Sequence, residues 1–182
     1  MAKVVARFEK VSYEEFREAL IKSDPIAYHS HEERVKEVYD NIKLPQRSTK
    51  RSSGYDFFYP GVRPIAVSRD HSVTIPTGIR CVFLEDGYDL SIYPRSGMGF
   101  KYRLHLDNTV GIIDNDYYES DNEGHILIKL SCDPHTNDGR TSVTIKPGDR
   151  FAQGIIREFF LAEGDDEVDK LDRDGGMGST GE

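Results

Sequence analysis

Tyr88-Asp89-Leu90-Ser91-Ile92 alternates large apolar with polar side chains, and a period of two marks a strand that lays one face on a core. The same rhythm returns in Ile126-Leu-Ile-Lys-Leu130 and in Val143-Thr-Ile145. Turn residues separate these runs: Pro60-Gly61, Pro76-Thr-Gly78, Glu85-Asp-Gly87 and Pro147-Gly-Asp149. Short strands punctuated by turn signals, nine residues apart between Pro76 and Glu85, are the pattern of a sandwich or barrel, so the chain from about residue 55 onward is expected to be all-β.

Upstream the period changes. Val4-Val-Ala-Arg-Phe8 reads as a short strand. Ser12-Tyr-Glu-Glu15 has the form of a capping box, in which the serine hydroxyl accepts one free amide and Glu15 reaches back to another. Tyr13, Phe16 and Leu20 follow at helical spacing, which predicts a helix over about 13–22 that stops before Pro25. Ser30-His-Glu-Glu33 opens a second helix with Val35, Val38, Tyr39 and Ile42 on one face, and the two are read as a helical hairpin inserted over about residues 12–42. Downstream, residues 163–182 hold eight carboxylates against Lys170 and Arg173 and end in Asp174-Gly-Gly-Met-Gly-Ser-Thr-Gly-Glu182, a composition that predicts a flexible arm. The expected division is thus a β domain over 1–162 and an arm over 163–182.

With 182 residues and a net charge of −8, the chain fits one globular domain whose acidity disfavours binding to a nucleic-acid backbone. Its apolar content is slightly low for this size, a shortfall that an oligomer interface or a bound ligand can meet. No apolar run is long enough to span a bilayer and Met1-Ala-Lys-Val4 lacks the pattern of a secretory signal, so a soluble, cytoplasmic protein without membrane contact is expected. Cys81 and Cys132 have neither disulfide-scaffold nor zinc spacing and are expected as buried thiols within strands.

Three polar clusters fall at expected strand ends: Pro94-Arg-Ser-Gly97, Gly111-Ile-Ile-Asp-Asn-Asp-Tyr117 and the glycine-rich terminus. Singly each is as compatible with an ordinary turn or tail as with a phosphate cradle. In sequence order they are part of a larger pattern. Pro45-Gln-Arg-Ser-Thr-Lys-Arg-Ser-Ser-Gly-Tyr-Asp-Phe57, Tyr93-Pro-Arg-Ser-Gly-Met-Gly99, Gly111–Tyr117, Pro147-Gly-Asp-Arg-Phe-Ala-Gln153 and Arg173-Asp-Gly-Gly-Met-Gly-Ser-Thr-Gly181 resemble, in order, the five short motifs of the trimeric dUTPase family. The resemblance covers about residues 43–181. It implies a jelly-roll-like distorted β-barrel assembled as a homotrimer, with active sites that draw on several chains. The reaction it implies is dUTP plus water giving dUMP and pyrophosphate, with Mg²⁺ on the triphosphate.

Carried onto this chain, the resemblance implies that Asp114 activates the attacking water and that Asp56 holds a water of the magnesium shell. Arg95, Ser96 and Gly97 become α- and β-phosphate ligands, with Gln153 nearby. Asn108 and the main chain of residues 109–113, Gly111 among them, read the pairing edge of uracil, and Tyr117 packs on deoxyribose where a 2′-hydroxyl has no room. Arg173 reaches the γ-phosphate while Met177, Gly178, Ser179 and Thr180 close over the nucleotide. Asp149 and Arg150 are read as equally compatible with a structural ion pair at a strand start. Four departures stand out: Met177 replaces the family's usual phenylalanine, one residue fewer than usual separates Arg173 from the Gly175-Gly176 pair, Tyr118-Glu-Ser-Asp-Asn-Glu-Gly124 replaces a short turn, and the 12–42 insertion is a candidate lid, interface element or docking surface for a protein partner. Two other readings remain. One is a regulatory, nucleotide-sensing module on the same scaffold. The other is a relative of dCTP deaminase, which needs a glutamate base where this chain has Lys129.

Overall fold

The computed structural model describes residues 3–133, 141–165 and 169. Twelve strands lie among them: β1 (Ala6–Lys10), β2 (Gln46–Arg47), β3 (Tyr55–Phe58), β4 (Ile65–Ser68), β5 (Val73–Pro76), β6 (Ile79–Phe83), β7 (Tyr88–Pro94), β8 (Leu104–Leu106), β9 (Gly111–Ile113), β10 (Leu127–Cys132), β11 (Ser142–Ile145) and β12 (Arg150–Glu158). They form a five-stranded sheet in the order β2-β3-β12-β7-β9, a three-stranded sheet β5-β10-β8, and the pairs β1-β6 and β4-β11. The sheets are antiparallel throughout, as the hairpin-forming turns require, and the architecture is the jelly-roll-like β fold expected.

The alternation holds in β10 and β11, where Ile128, Leu130, Val143 and Ile145 are buried while Lys129 and Thr144 are exposed. It fails in β7. Asp89 and Ser91, expected on an outward face, are buried along with Leu90 and Ile92. β7 is interior, flanked by β12 and β9, and the side chain of Arg157 from β12 reaches Asp89. The polar side chains survive there because Ser91 Oγ donates to Asp89 Oδ1 at 3.0 Å and Arg157 Nε pairs with the same oxygen at 3.5 Å. Cys81 and Cys132 are free and buried in β6 and β10, as expected.

The insertion contains three helices rather than a hairpin of two: α1 (Tyr13–Ser23), α2 (Pro25–Tyr28) and α3 (Glu32–Asp40). Asp24 creates the extra one, since its carboxylate accepts from Ala27 N at 3.1 Å and Pro25 takes the first helical position, where its missing amide costs nothing. The turn continues through His31 N to Tyr28 O, so that His31 rather than Ser30 precedes α3. Phe16, Leu20, Tyr28, Val35, Val38 and Ile42 join Phe57, Ile75 and Ile79 in one core, which makes the insertion part of the domain and not an appendage. Gly78, with φ of +69°, sits at the seam; a Cβ there would lie 2.3 Å from Ile42 Cδ1 and 3.0 Å from the Phe16 ring.

The capping box is only half made. Ser12 Oγ accepts from Glu15 N at 3.2 Å, but the Ser12 amide donates to Glu123 Oε2 at 2.8 Å, from a residue 111 positions away. Glu15 turns instead to the fully buried His125, whose Nδ1 lies 2.9 Å from its Oε1. Because His125 Nε2 accepts from Gly78 N at 2.9 Å, the ring proton is on Nδ1 and the imidazole is neutral. Burial pushes its pKa down to about 4, with Glu123 opposing. The unfolded chain therefore takes up this proton near pH 6.5 and the folded chain only near 4. His125 contributes its full share above about pH 6.5, and about 3 kcal/mol is lost as pH falls from there to 4. Glu15, whose carboxyl is raised by burial and by Glu123, acts in the opposite direction. Urea titrations across pH 4–7 should show that loss in the wild type and a flatter profile in His125→Gln; equal slopes would remove the histidine from the account.

Candidate active site

β8 and β9 belong to different sheets and are joined by a tight turn through residues 107–110, where Leu106 bridges Thr109 and Thr109 adopts a φ of +64°. Its tip is held from the side: Asp107 N donates to Lys129 O at 3.1 Å, and Lys129 Nζ lies 3.2 Å from Asp107 Oδ2. Beneath it is a cavity of about 160 Å³ walled by Ile92, Leu106, Ile113 and Ile128, with Asn108 at the mouth and Gly111 in the wall. A Cβ on Gly111 would come within 3.3 Å of Ile92. Apolar walls with Asn108, Asp107 and Lys129 as polar lining suit a flat heterocycle that needs both apolar contact and a hydrogen-bonding partner.

Asp114 leaves the end of β9 and is exposed. Its turn is built by the backbone, with Tyr117 N donating to Asp114 O at 3.1 Å, and by Asn115, whose Nδ2 donates to Glu85 O at 2.9 Å and Tyr88 O at 3.1 Å. The carboxylate faces a second cavity of about 620 Å³, which it lines with Asp86, Asp89, Asp116, Ile112 and Phe159. Tyr117 supports the turn from below. It is 2% exposed, its hydroxyl accepts from Asn122 Nδ2 at 3.0 Å and donates to His125 O at 3.3 Å, so in this structure its ring belongs to the core.

A third cluster joins motifs far apart in sequence. Asp56 in β3 is 7% exposed, and it accepts from Ser48 Oγ and from Arg150 Nη1 at 3.1 Å while Arg95 Nε lies 3.5 Å from its other oxygen. Arg95 follows β7 and precedes α4 (Ser96–Tyr102). Ser96 and Gly97 are exposed there, and the first amides of a helix have no acceptor within it. Gln153 is the cross-strand partner of Asp56 and donates to Pro94 O at 3.4 Å. Arg150 accordingly braces Asp56 and not its neighbour Asp149, whose carboxylate accepts from Lys146 N at 2.8 Å and closes its own turn. Sequence reasoning passed over Ser48, although it lies inside the first quoted motif. Arg173, Met177, Gly178, Ser179 and Thr180 lie outside the described residues.

The clusters separate along β7. The register pairs Leu90 with Ile113 and Ile92 with Gly111, which puts Asp114 beside the Asp89 end of that strand and Arg95 beyond the other. Six residues of strand at ~3.3 Å each leave about 20 Å between Asp114 and Arg95 within one chain.

The profile of the dUTPase family matches residues 40–181. The chain belongs to the dUTPase family. Among relatives, the deoxyuridine 5′-triphosphate nucleotidohydrolase of Lactococcus lactis subsp. lactis is 38% identical over 141 residues, covering 77% of this chain and 89% of that protein. The crystal structure of the dUTPase from Streptococcus mutans superposes with a TM-score of 0.55 at 33% identity, over 69% of this chain and 91% of its own. A Staphylococcus bacteriophage 80alpha dUTPase variant solved with dUpNHpp shares the fold at 18% identity and a TM-score of 0.58, over 94% of this chain and 90% of its own. The family match begins at residue 40, so most of the insertion precedes it. As a member of the family this chain is a hydrolase of nucleotide metabolism, and among its described residues no helix is long and apolar enough to cross a membrane.

Proposed function

We propose that the chain hydrolyses dUTP to dUMP and pyrophosphate in an oligomer, a homotrimer by the family pattern, whose subunits complete one another's sites. The observation that carries this reading is a base-sized pocket walled by Gly111 and Ile113 of the strand that ends at Asp114, together with an arginine–carboxylate cluster whose Arg95 lies about 20 Å from Asp114 on the same chain. One nucleotide cannot span Asp114 and Arg95 of a single subunit with both at its α-phosphate, whereas a neighbouring chain can supply the second.

Uracil occupies the pocket beneath the turn between β8 and β9. Its pairing edge offers acceptor, donor and acceptor, which the Asn108 amide and the main chain of residues 109–113 complement, while the amino group of cytosine would set donor against donor. Asp114 orients a water opposite the leaving pyrophosphate and accepts its proton as the new P–O bond forms at the α-phosphorus and the bond to the bridging oxygen breaks. Arg95, with the amides of Ser96 and Gly97, receives the α- and β-phosphates, and Gln153 orders the segment before Arg95 through Pro94 O. Arg173 serves the γ-phosphate, and Met177, Gly178, Ser179 and Thr180 close over the nucleotide. Tyr117 sets the floor of the turn, and contact with deoxyribose requires its ring to be uncovered.

Magnesium fits this arrangement only as an ion carried by the triphosphate. Among the described residues, Asp56 Oδ1 has one long contact, at 3.5 Å to Arg95, and so retains capacity for a water of the ion's shell, and no cluster of three metal-ligating side chains exists there. Magnesium keeps several waters and uses few carboxylates when phosphates complete its shell. When bound, it supplies neutralisation of the charge that develops on the phosphate oxygens.

The test is pyrophosphate release from dUTP against dCTP, dTTP and UTP with magnesium present. Efficient turnover of dUTP alone is expected. Binding of dUTP without pyrophosphate release would favour a nucleotide-sensing module instead. Ammonia release from dCTP would favour a deaminase, against which stands Lys129, which lines the base pocket as a cation paired with Asp107.

A further inference from the structure

Two of the departures from the family pattern, the helical insertion and the 118–124 loop, are fastened to each other in the structure. Ser12 N holds Glu123, and Glu15 holds His125. Glu15 lies 25 residues before the family match begins, yet its carboxylate reaches the segment that follows the third motif. His125 is fully buried, fixed on its other side by Gly78 N, and its backbone carbonyl accepts from the Tyr117 hydroxyl. Tyr117 N in turn donates to Asp114 O. Ser120 Oγ to Tyr117 O at 2.6 Å and Glu123 N to Ser120 O at 2.7 Å close the loop between them.

We infer that the insertion is a positioning element for hydrolysis: Glu15, acting through His125 and Tyr117, sets the Asp114 turn. This rests on the assignment of Asp114 under the function proposed above. The physical need is plain. A seven-residue loop in place of a short turn gives residues 114–117 more conformations to lose, and misplacement of a general base by even 1 Å can cost about a hundredfold in rate. Glu15 and His125 remove that freedom from a buried anchor. They touch no substrate and are positioning residues. Buried hydrogen bonds of this kind hold geometry well because leaving either partner unpaired is costly.

The experiment uses the full chain. In Glu15→Ala, kcat for dUTP should fall about tenfold with KM within about twofold, because the broken hydrogen bond matters in the transition state and not in nucleotide binding. Glu15→Gln, whose amide oxygen still accepts from Nδ1–H, should recover most of the rate. Asp24→Asn weakens the insertion at its far side, at Arg63 and the α2 cap, and should lower Tm while leaving kcat unchanged. Tyr117→Phe deletes the same relay from the other end, and its effect should not multiply with that of Glu15→Ala; it also serves if Glu15→Ala fails to fold. A Glu15→Ala protein that is folded and turns over at the wild-type rate, a kcat loss in Asp24→Asn equal to that in Glu15→Ala, or multiplying effects in the double variant would each overturn the inference. Hydrogen exchange at the Tyr117, Ser120 and Glu123 amides needs no nucleotide and should accelerate in Glu15→Ala. Unchanged exchange would break the relay even in an active enzyme, whereas a wild type that releases no pyrophosphate from dUTP would defeat the functional reading and leave the exchange result standing.

Discussion

Asp114→Asn should lower kcat for dUTP by about a thousandfold and leave Tm within about 2 °C of the wild type. The side chain is exposed, and the turn it sits on is held by its carbonyl, by Asn115 and by Tyr117, all of which the substitution preserves. Asparagine matches aspartate in size and can still bond a water, but it cannot take the proton that the water must lose. Affinity for the uracil nucleotide should persist, since the base pocket beneath the turn between β8 and β9 is untouched. Steady-state pyrophosphate release, with binding of a non-hydrolysable analogue measured alongside, checks both halves. Wild-type turnover in this variant would assign water activation to another group.

Removal of residues 173–182 should reduce kcat/KM for dUTP at least a hundredfold, through loss of an arginine that stabilises phosphate charge in the transition state. The folded body should be unaffected, because its core lies within residues 5–152. Reach is sufficient for service at a neighbouring site: Arg173 lies twelve residues beyond Leu161, and an extended chain covers about 40 Å over that length. Phe159 already lines the cavity that Asp114 faces, while Phe160 and Leu161 are 84% and 70% exposed, so the chain leaves the body near that cavity with apolar surface uncovered. Activity assays and sedimentation on the same truncated preparation separate the two effects. Full activity without the arm would remove Arg173, Met177, Gly178, Ser179 and Thr180 from the site.

Local patterns were legible wherever one local rule governed. The period-two runs are strands, and the Pro76-Thr-Gly78 turn is where the insertion meets the body. What stayed hidden depended on partners distant in sequence. Asp89 and Ser91 look solvent-facing until β12 and β9 are placed on either side of them. Glu15 satisfies every local criterion for a capping box, and a buried histidine 110 residues away claims it instead. Arg150 sits beside Asp149 in sequence, yet the β12–β3 pairing delivers it to Asp56. The separation of Asp114 from Arg95 likewise has no trace in the order of the motifs; it follows from the register of β9 on β7.

The separation permits a direct test of shared sites. Asp114→Asn and Arg95→Ala chains are each expected to be inactive alone, and co-expression places both in one oligomer. If Asp114 and Arg95 at a given nucleotide come from different subunits, about a quarter of the sites in a randomly mixed trimer contain both intact residues, and activity returns to that fraction of wild type. If they come from the same chain, every site keeps one lesion and the mixed oligomers stay as inactive as their parents, which would contradict the account at its centre.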